Sequence, residues 1–276
     1  MERAELHDVV IRALAEDLGE TGDITSSVVV DPDARSSAHI VARAPGVIAG
    51  MAVAAHVFET VDAGIAFEGV DDATVVTAGT VIGRVAGPAR SILTAERTAL
   101  NLLARMSGVA TATAGLVARV EGTGARITDT RKTMPGLRAL DKYSVMVGGG
   151  VNHRIGLYDE VMIKDNHIAA AVHIALAVER ARAAVGPDVR ITVEVENLGQ
   201  LGEVLQTDAD RVMLDNMSPE VLREAVAMVG DAMETEASGG VTAANVREIA
   251  QTGVGFISVG WITHSAPQLD IALDFS

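Results

Sequence analysis

The feature that most limits what this chain can fold into is a rhythm that starts near residue 124 and repeats toward the end: a short apolar run, a loop, a stretch at helical spacing, another apolar run. Six runs have strand character, at residues 126–130, 160–164, 190–195, 211–214, 233–236 and 256–259. Between them, 137–147, 169–185, 219–229 and 243–252 have the length and period of helices. Strands that alternate with helices pair in parallel, because each crossover returns the chain to the same end of the sheet. Six strands predict an incomplete barrel rather than a closed eight-stranded one. An open doubly wound sheet shares this periodicity and remains the alternative.

The first hundred residues follow another pattern. Leu6, Val9, Val10, Ala13, Leu14 and Leu18 recur at helical spacing. Residues 37–43 and 65–70, with the runs 73–77 and 80–85 paired across Gly79, predict antiparallel sheet, and 51–61 an intervening helix. A strongly helical pattern covers 94–106. It gathers Ile92, Ala99, Leu100, Leu103 and Met106 on one face and Arg97, Asn101 and Arg105 on the other, where Arg97 reads as a solvated surface residue.

Composition closes off several classes of function. With no cysteine there is no disulfide scaffold, thiolate metal site, iron–sulfur cluster or cysteine nucleophile, and a cytoplasmic address is expected. A formal net charge of −15 argues against a general nucleic-acid binder, and the 3% aromatic content leaves few stacking platforms. The amino terminus carries acids where a signal peptide carries bases, and the apolar stretch 46–58 is too short to cross a bilayer. Neither export nor membrane insertion is expected.

In parallel β/α folds ligands bind at the carboxyl ends of the strands, so the residues that end each run are the ones to read. The first run ends in Asp129, Thr130, Arg131, Lys132 and Thr133, the second in Lys164, Asp165, Asn166 and His167. Glu194 and Glu196 lie in and after the third, Asp215 and Asn216 end the fourth, Ser238, Gly239 and Gly240 follow the fifth, and the sixth runs into Gly260 and His264. A loop of three glycines adds His153 and Arg154. Arg131, Lys132, Arg154 and Lys164 therefore meet on one rim. An exposed ion pair returns only about 1 kcal/mol or less, so a cluster of cations is a poor loop fastener; it suits a small, highly negative substrate. The two guanidinium groups match planar carboxylates, and the two lysines act as point charges. Glu194 and Asp215, from adjacent strands, would repel each other without a cation between them; hard oxygen donors favour magnesium carried by substrate phosphates, and salt bridges to the rim lysines are the alternative. The glycine pair after Ser238 can present backbone N–H groups to a phosphate, although most such pairs are simple tight turns. Lys164 also has the placement of a Schiff-base lysine, which keeps an aldolase-like enzyme in view.

The blocks DTRKTMPGLRALDKYSVMVGGGVNHRIGLYDEVMIKDNHI, VEVEN, MLDN, EASGGV and SVGWITHSAP, with EDLGETGDITS, PGVIAG and AERTALNLLARMSGVAT upstream, closely resemble the quinolinate phosphoribosyltransferase family over nearly the whole chain. The resemblance implies an α/β protein with an amino-terminal α/β sandwich over 1–108, rejoined by 265–276, and an open parallel β/α barrel over 109–264. It implies a reaction that joins quinolinate to 5-phosphoribosyl 1-diphosphate, giving nicotinate mononucleotide, carbon dioxide and pyrophosphate for NAD biosynthesis. It further implies a homodimer with shared active sites, or a hexamer assembled from such dimers, in which Arg97 reaches the partner's substrate. Arg131, His153 and Arg154 complete the dicarboxylate site, and Lys132 and Lys164 lie between it and the phosphoribosyl group. Glu194 and Asp215 hold the ribose and Mg2+, and Ser238, Gly239, Gly240, Gly260 and His264 surround the 5-phosphate. The bulky pair Trp261-Ile262 departs from the smaller residues the family pattern has before Thr263-His264. A relative that takes nicotinate, and a ligand-sensing protein that has lost turnover, are the competing readings.

Overall fold

The computed structural model describes residues 3–275. Two compact units divide the chain. One takes residues up to Ala114, Thr133–Gly149 and the stretch from Ile262 on; the other takes Gly115–Lys132 and Gly150–Trp261.

In the first unit α1 (Arg3–Leu18), α2 (Ile24–Val29), β1 (Arg35–Ala42), β2 (Gly46–Val47), α3 (Met51–Val61), β3 (Ala66–Gly69), β4 (Val75–Val76), β5 (Val81–Pro88), most of α4 (Ala89–Val120) and, after a break, α5 (Arg138–Val147) follow in order. The strand Ile271–Phe275 returns to β1, giving a four-stranded antiparallel sheet with β1 and β5 at its centre and β3 at the far edge. The short helix α2 went unread in the sequence. It starts where Asp23 accepts the Ser26 N–H at 2.9 Å and so satisfies one of the free donors of the first turn. The core sits between sheet and helices: Ile40, Phe58, Ile82, Ile92, Leu103 and Met106 are all essentially free of solvent. Each such side chain contributes roughly 1.5–3 kcal/mol. By length and composition α4 could cross a membrane, yet 61% of its most apolar window is buried inside the protein, as in a core helix. Gly108 on α4 has a packing reason, since a Cβ there would stand 2.2 Å from the Pro267 carbonyl oxygen.

The hairpin expected between 73–77 and 80–85 does not form. Gly79 does turn the chain, with φ 86°, but β4 pairs with β2, and both edges of β5 are taken by β1 and β3. Alternation fixes which face a strand buries, not which partner it pairs with.

The second unit holds β6 (Arg126–Thr128), β7 (Val161–Ile163), β8 (Ile191–Val195), β9 (Arg211–Asp215), β10 (Glu234–Ser238) and β11 (Phe256–Ser258). Their order in the sheet is β6-β11-β10-β9-β8-β7, every pair parallel. From β7 to β11 consecutive strands are neighbours, and β11 comes back to β6. Among the described residues β6 and β7 do not pair, so the barrel is open at that seam. Helices α7 (Ile174–Val185), α8 (Leu198–Val204), α9 (Pro219–Val229) and α10 (Val246–Ala250) connect the strands and pack on them. The single helix expected over 169–185 is two pieces, α6 (Asp165–Ala171) and α7. Val172 takes a positive φ of 83° between them, and the His173 ring caps α7 by accepting the Leu176 N–H.

Register decides what each face carries. Ile127, Val193, Val195, Val212, Leu214, Ala237 and Ile257 form an apolar outer face, all buried. The inner face is polar. Thr192 and Glu194 align with Arg211 and Met213, and Arg211, Met213 and Asp215 with Glu234, Glu236 and Ser238. At the amino ends of the strands the Arg126 and Arg211 guanidinium carbons lie 4.2 and 4.1 Å from the centre of the Phe256 ring, a cation–π layer beneath the polar interior.

Candidate active site

The site is assembled from the carboxyl ends of these strands. Beyond β6, Asp129 is fully buried and its Oδ1 accepts the His153 N–H at 2.8 Å. Val151 bridges Thr128 in parallel, so the chain returns beside β6 and sets His153 and Arg154 next to Arg131 and Lys132. No helix or strand period announces this return. It depends on a buried carboxylate that the sequence shows only as one more acid at a strand end.

Arg131 and Arg154 are the pair with the clearest electrostatic signature. The Arg131 Nε is buried with no hydrogen-bond partner. Burial pushes the Arg154 guanidinium below its ordinary value, the neighbouring Arg131 charge adds to the same effect, and Glu160 and Asp159 oppose it. One Arg154 Nη1 donates to the Glu160 carbonyl oxygen at 3.2 Å. Two neighbouring guanidinium groups, one with a donor left over, have the chemistry to bind anionic groups such as carboxylates. Lys132 is exposed beside them, its backbone N–H tied to Thr130 Oγ1 at 2.9 Å.

Further round the barrel, the Lys164 ammonium contacts Glu194 Oε2 directly. Lys164 is two-fifths exposed, so the pair is open to a ligand. Glu194 is level with Met213 in the β8–β9 register, and Asp215 lies two residues on, hence on the same face. Asp215 Oδ2 accepts from Asn216 Nδ2 at 2.6 Å. Asp215 aligns with Ser238, after which Gly239 and Gly240 both take positive φ, 91° and 60°. At Gly239 a Cβ would sit 2.1 Å from Asn216 Oδ1, so only glycine lets these two strand ends come together. The Thr242 N–H and hydroxyl both donate to Asn245 Oδ1, and Asn245 Nδ2 donates to the Gly240 carbonyl, which fixes the loop after the glycines.

Among the described residues no group of three or more histidines and carboxylates is placed to hold a metal ion. Glu194 and Asp215 supply two hard oxygen donors on one face. That donor set fits Mg2+, which keeps several waters and takes substrate phosphates as its remaining ligands.

The second unit thus brings together Arg131, Lys132, His153, Arg154, Lys164, Glu194, Asp215, Ser238, Gly239, Gly240 and Gly260. Arg97 and His264 belong to the first unit. Arg97 is exposed, 3.7 Å from Glu96, and His264 Nδ1 lies 2.5 Å from Ser265 Oγ. Arg105, which helical spacing put on the polar face with Arg97, is not a surface residue. Its guanidinium binds both Asp141 oxygens and the Thr263 carbonyl. Asp141 also accepts the Met134 N–H; burial pushes its carboxyl up despite that bond and the Arg105 charge.

Comparison with known proteins finds relatives over nearly the whole chain. Residues 23–107 match the family described as quinolinate phosphoribosyl transferase, N-terminal domain, and 109–274 the family described as its C-terminal domain. A probable nicotinate-nucleotide pyrophosphorylase [carboxylating] of Bacillus subtilis is 42% identical over 99% of this chain and 94% of that protein. A quinolinate phosphoribosyltransferase [decarboxylating] of Nicotiana tabacum is 41% identical over 98% of this chain and 82% of its own length. Among solved structures, the nicotinate-nucleotide pyrophosphorylase of Francisella tularensis superposes with a TM-score of 0.96 at 39% identity, covering all of this chain and 98% of that one.

Proposed function

The chain belongs to the quinolinate phosphoribosyltransferase family, and from that premise we propose how its residues divide the family's reaction. The enzyme is a decarboxylating phosphoribosyltransferase that makes nicotinate mononucleotide for NAD biosynthesis. The observation that supports the diacid substrate best is the Arg131–Arg154 pair, with its unpartnered buried Nε and its mutual repulsion.

Arg131 and Arg154 bind the two carboxylates of quinolinate and fix the ring so that its nitrogen faces the anomeric carbon of the sugar. Lys132 and Lys164 lie between the ring and the phosphoribosyl group, as point charges that neutralise the acid and the sugar's phosphates together. Pyrophosphate departure builds positive charge on the ribose, and Glu194 and Asp215 are the carboxylates that stabilise it. Mg2+, held at Glu194 and Asp215 when bound, would supply neutralising charge for the leaving group. Once the ring nitrogen has bonded to carbon it is cationic, and the adjacent carboxylate leaves as carbon dioxide because the electron pair it releases is stabilised next to that nitrogen. The backbone of Ser238, Gly239, Gly240 and Gly260 is assigned to the 5-phosphate. Arg97, supplied by the partner of a homodimer, and His264 keep the roles the family resemblance gives them, and a cytoplasmic setting belongs to the same proposal.

Purified protein supplied with Mg2+, quinolinate and phosphoribosyl diphosphate should form nicotinate mononucleotide and release carbon dioxide in equal amounts. Turnover of nicotinate at a comparable rate, with no carbon dioxide from quinolinate, would overturn the diacid reading.

A further inference from the structure

His153 is held in place by protein groups at both ring nitrogens. The side chain is 4% exposed. Its Nδ1 accepts the Arg154 N–H at 2.7 Å. Its Nε2 lies 3.3 Å from Glu236 Oε2 and 4.0 Å from Glu160 Oε1. The main chain at His153 is held in turn by Asp129. Both ring nitrogens thus face protein groups, and the acceptor role of Nδ1 requires the proton to be on Nε2, where the carboxylates are.

Glu236 faces that nitrogen from a fixed place. It is fully buried on the inner face of β10, where an unpaired carboxylate would be very costly. Arg211 Nη1 donates to its Oε2 at 3.0 Å, and the Ser258 hydroxyl donates to Oε1. Arg211 is itself buried and anchored by Glu234 at 2.7 Å. The second face of the ring is bounded by Glu160, whose Oε1 accepts from Thr192 and whose carbonyl receives the Arg154 guanidinium.

We infer that Glu236 and His153 are positioning residues: Glu236 fixes His153 as the Nε2–H tautomer, and His153 Nδ1 then pins the Arg154 main chain so that its guanidinium meets the substrate. The ring is a strut between the buried Arg211–Glu236 pair and the anion receptor. This rests on the reaction proposed above for its kinetic readout but not for its spectroscopic one.

The spectroscopic test is a long-range 1H–15N correlation spectrum of the free protein labelled at histidine, with the His153 signals identified by their loss in His153→Asn. A neutral ring with the proton on Nε2 is expected; a proton on Nδ1, alone or in an imidazolium, overturns the inference. The kinetic test uses side-chain reach. An Asn amide oxygen can occupy the place of Nδ1, whereas a Gln amide reaches the place of Nε2. His153→Asn should keep at least about tenfold more kcat/KM for quinolinate than His153→Gln, with KM for phosphoribosyl diphosphate little changed in either. A Gln variant that equals or exceeds the Asn variant contradicts the strut. If the wild-type protein does not turn over quinolinate, the proposed reaction fails, and the tautomer is still decided by the spectrum.

Discussion

The two units differ in what they enclose beside their sheets. Between the antiparallel sheet and its helices lie Ile40, Phe58, Ile82, Leu103 and Met106, while the inner face of the parallel sheet encloses Thr192, Arg211, Glu236 and, beside them, His153. Apolar packing is non-directional and tolerates any filling of the right volume, so the first kind of core stabilises without specifying a chemistry. Buried charges tolerate little. Each must find its partner at hydrogen-bond distance, and the result is a set of side chains fixed in place. The open barrel accepts a weaker interior in return for positioned strand ends.

The sharpest way to break that contrast is at the rim. Lys132 is exposed and packs no core, so Lys132→Ala should lower kcat/KM by about a thousandfold, near the upper end for losing one charge-stabilising group, while thermal stability stays at the wild-type value. Normal turnover of quinolinate by this variant would remove the first strand from the catalytic site.

Inside the barrel the effect moves to stability. Glu236→Ala leaves Arg211 and His153 without their shared carboxylate and should cost about 3–5 kcal/mol in denaturant unfolding. The double replacement Arg211→Met with Glu236→Leu should recover most of that loss, since a well-packed apolar pair can replace a buried ion pair, yet activity should not return. Recovery of both would show that the polar interior is dispensable to the site.

These residues also mark how far the sequence could be read. All six barrel strands and the helices Met51–Val61 and Pro219–Val229 were legible, because a period of 2 or 3.6 and a cap or proline are written locally. The rim cations were legible as a charged set at strand ends. Hidden were the relations between distant residues: the pairing of β4 with β2, the Asp129 bond that brings His153 home, and the turning of Arg105 inward to Asp141. Glu236 and Arg211 were visible only as charges inside runs that otherwise read as strand. Alternation places them on one face, but it does not say that the face is an interior.

In the antiparallel unit the matching experiment is Leu103→Ala, which opens a cavity in a fully buried position and should cost about 2–5 kcal/mol. Assayed where the protein remains folded, it should keep wild-type kcat. A fall in kcat as large as that of the rim variants would mean that the apolar core also sets the site's geometry.

The smallest effect comes from a polar contact in the antiparallel unit. Tyr143 donates to Asp72 Oδ2 at 2.7 Å, and the Asp72 carboxylate also accepts the Gly50 and Met51 N–H groups at the start of α3. Burial first, then the Asp72 bond and charge, push the Tyr143 phenol up to about 12. A folded value above the ordinary one near 10 means that the unfolded chain gives up its proton first. The stability this group contributes is therefore complete below pH 10 and is lost as pH rises from 10 toward 12. Tyr143→Phe should remove about 1 kcal/mol at neutral pH and flatten the decline of stability over that alkaline window, measured by urea unfolding at stepped pH. Because the contact ties a helix start to the core and touches no group of the rim, kcat should not move; if it does, polar contacts in this unit serve the chemistry too, and the division between a core that stabilises and a core that positions is lost.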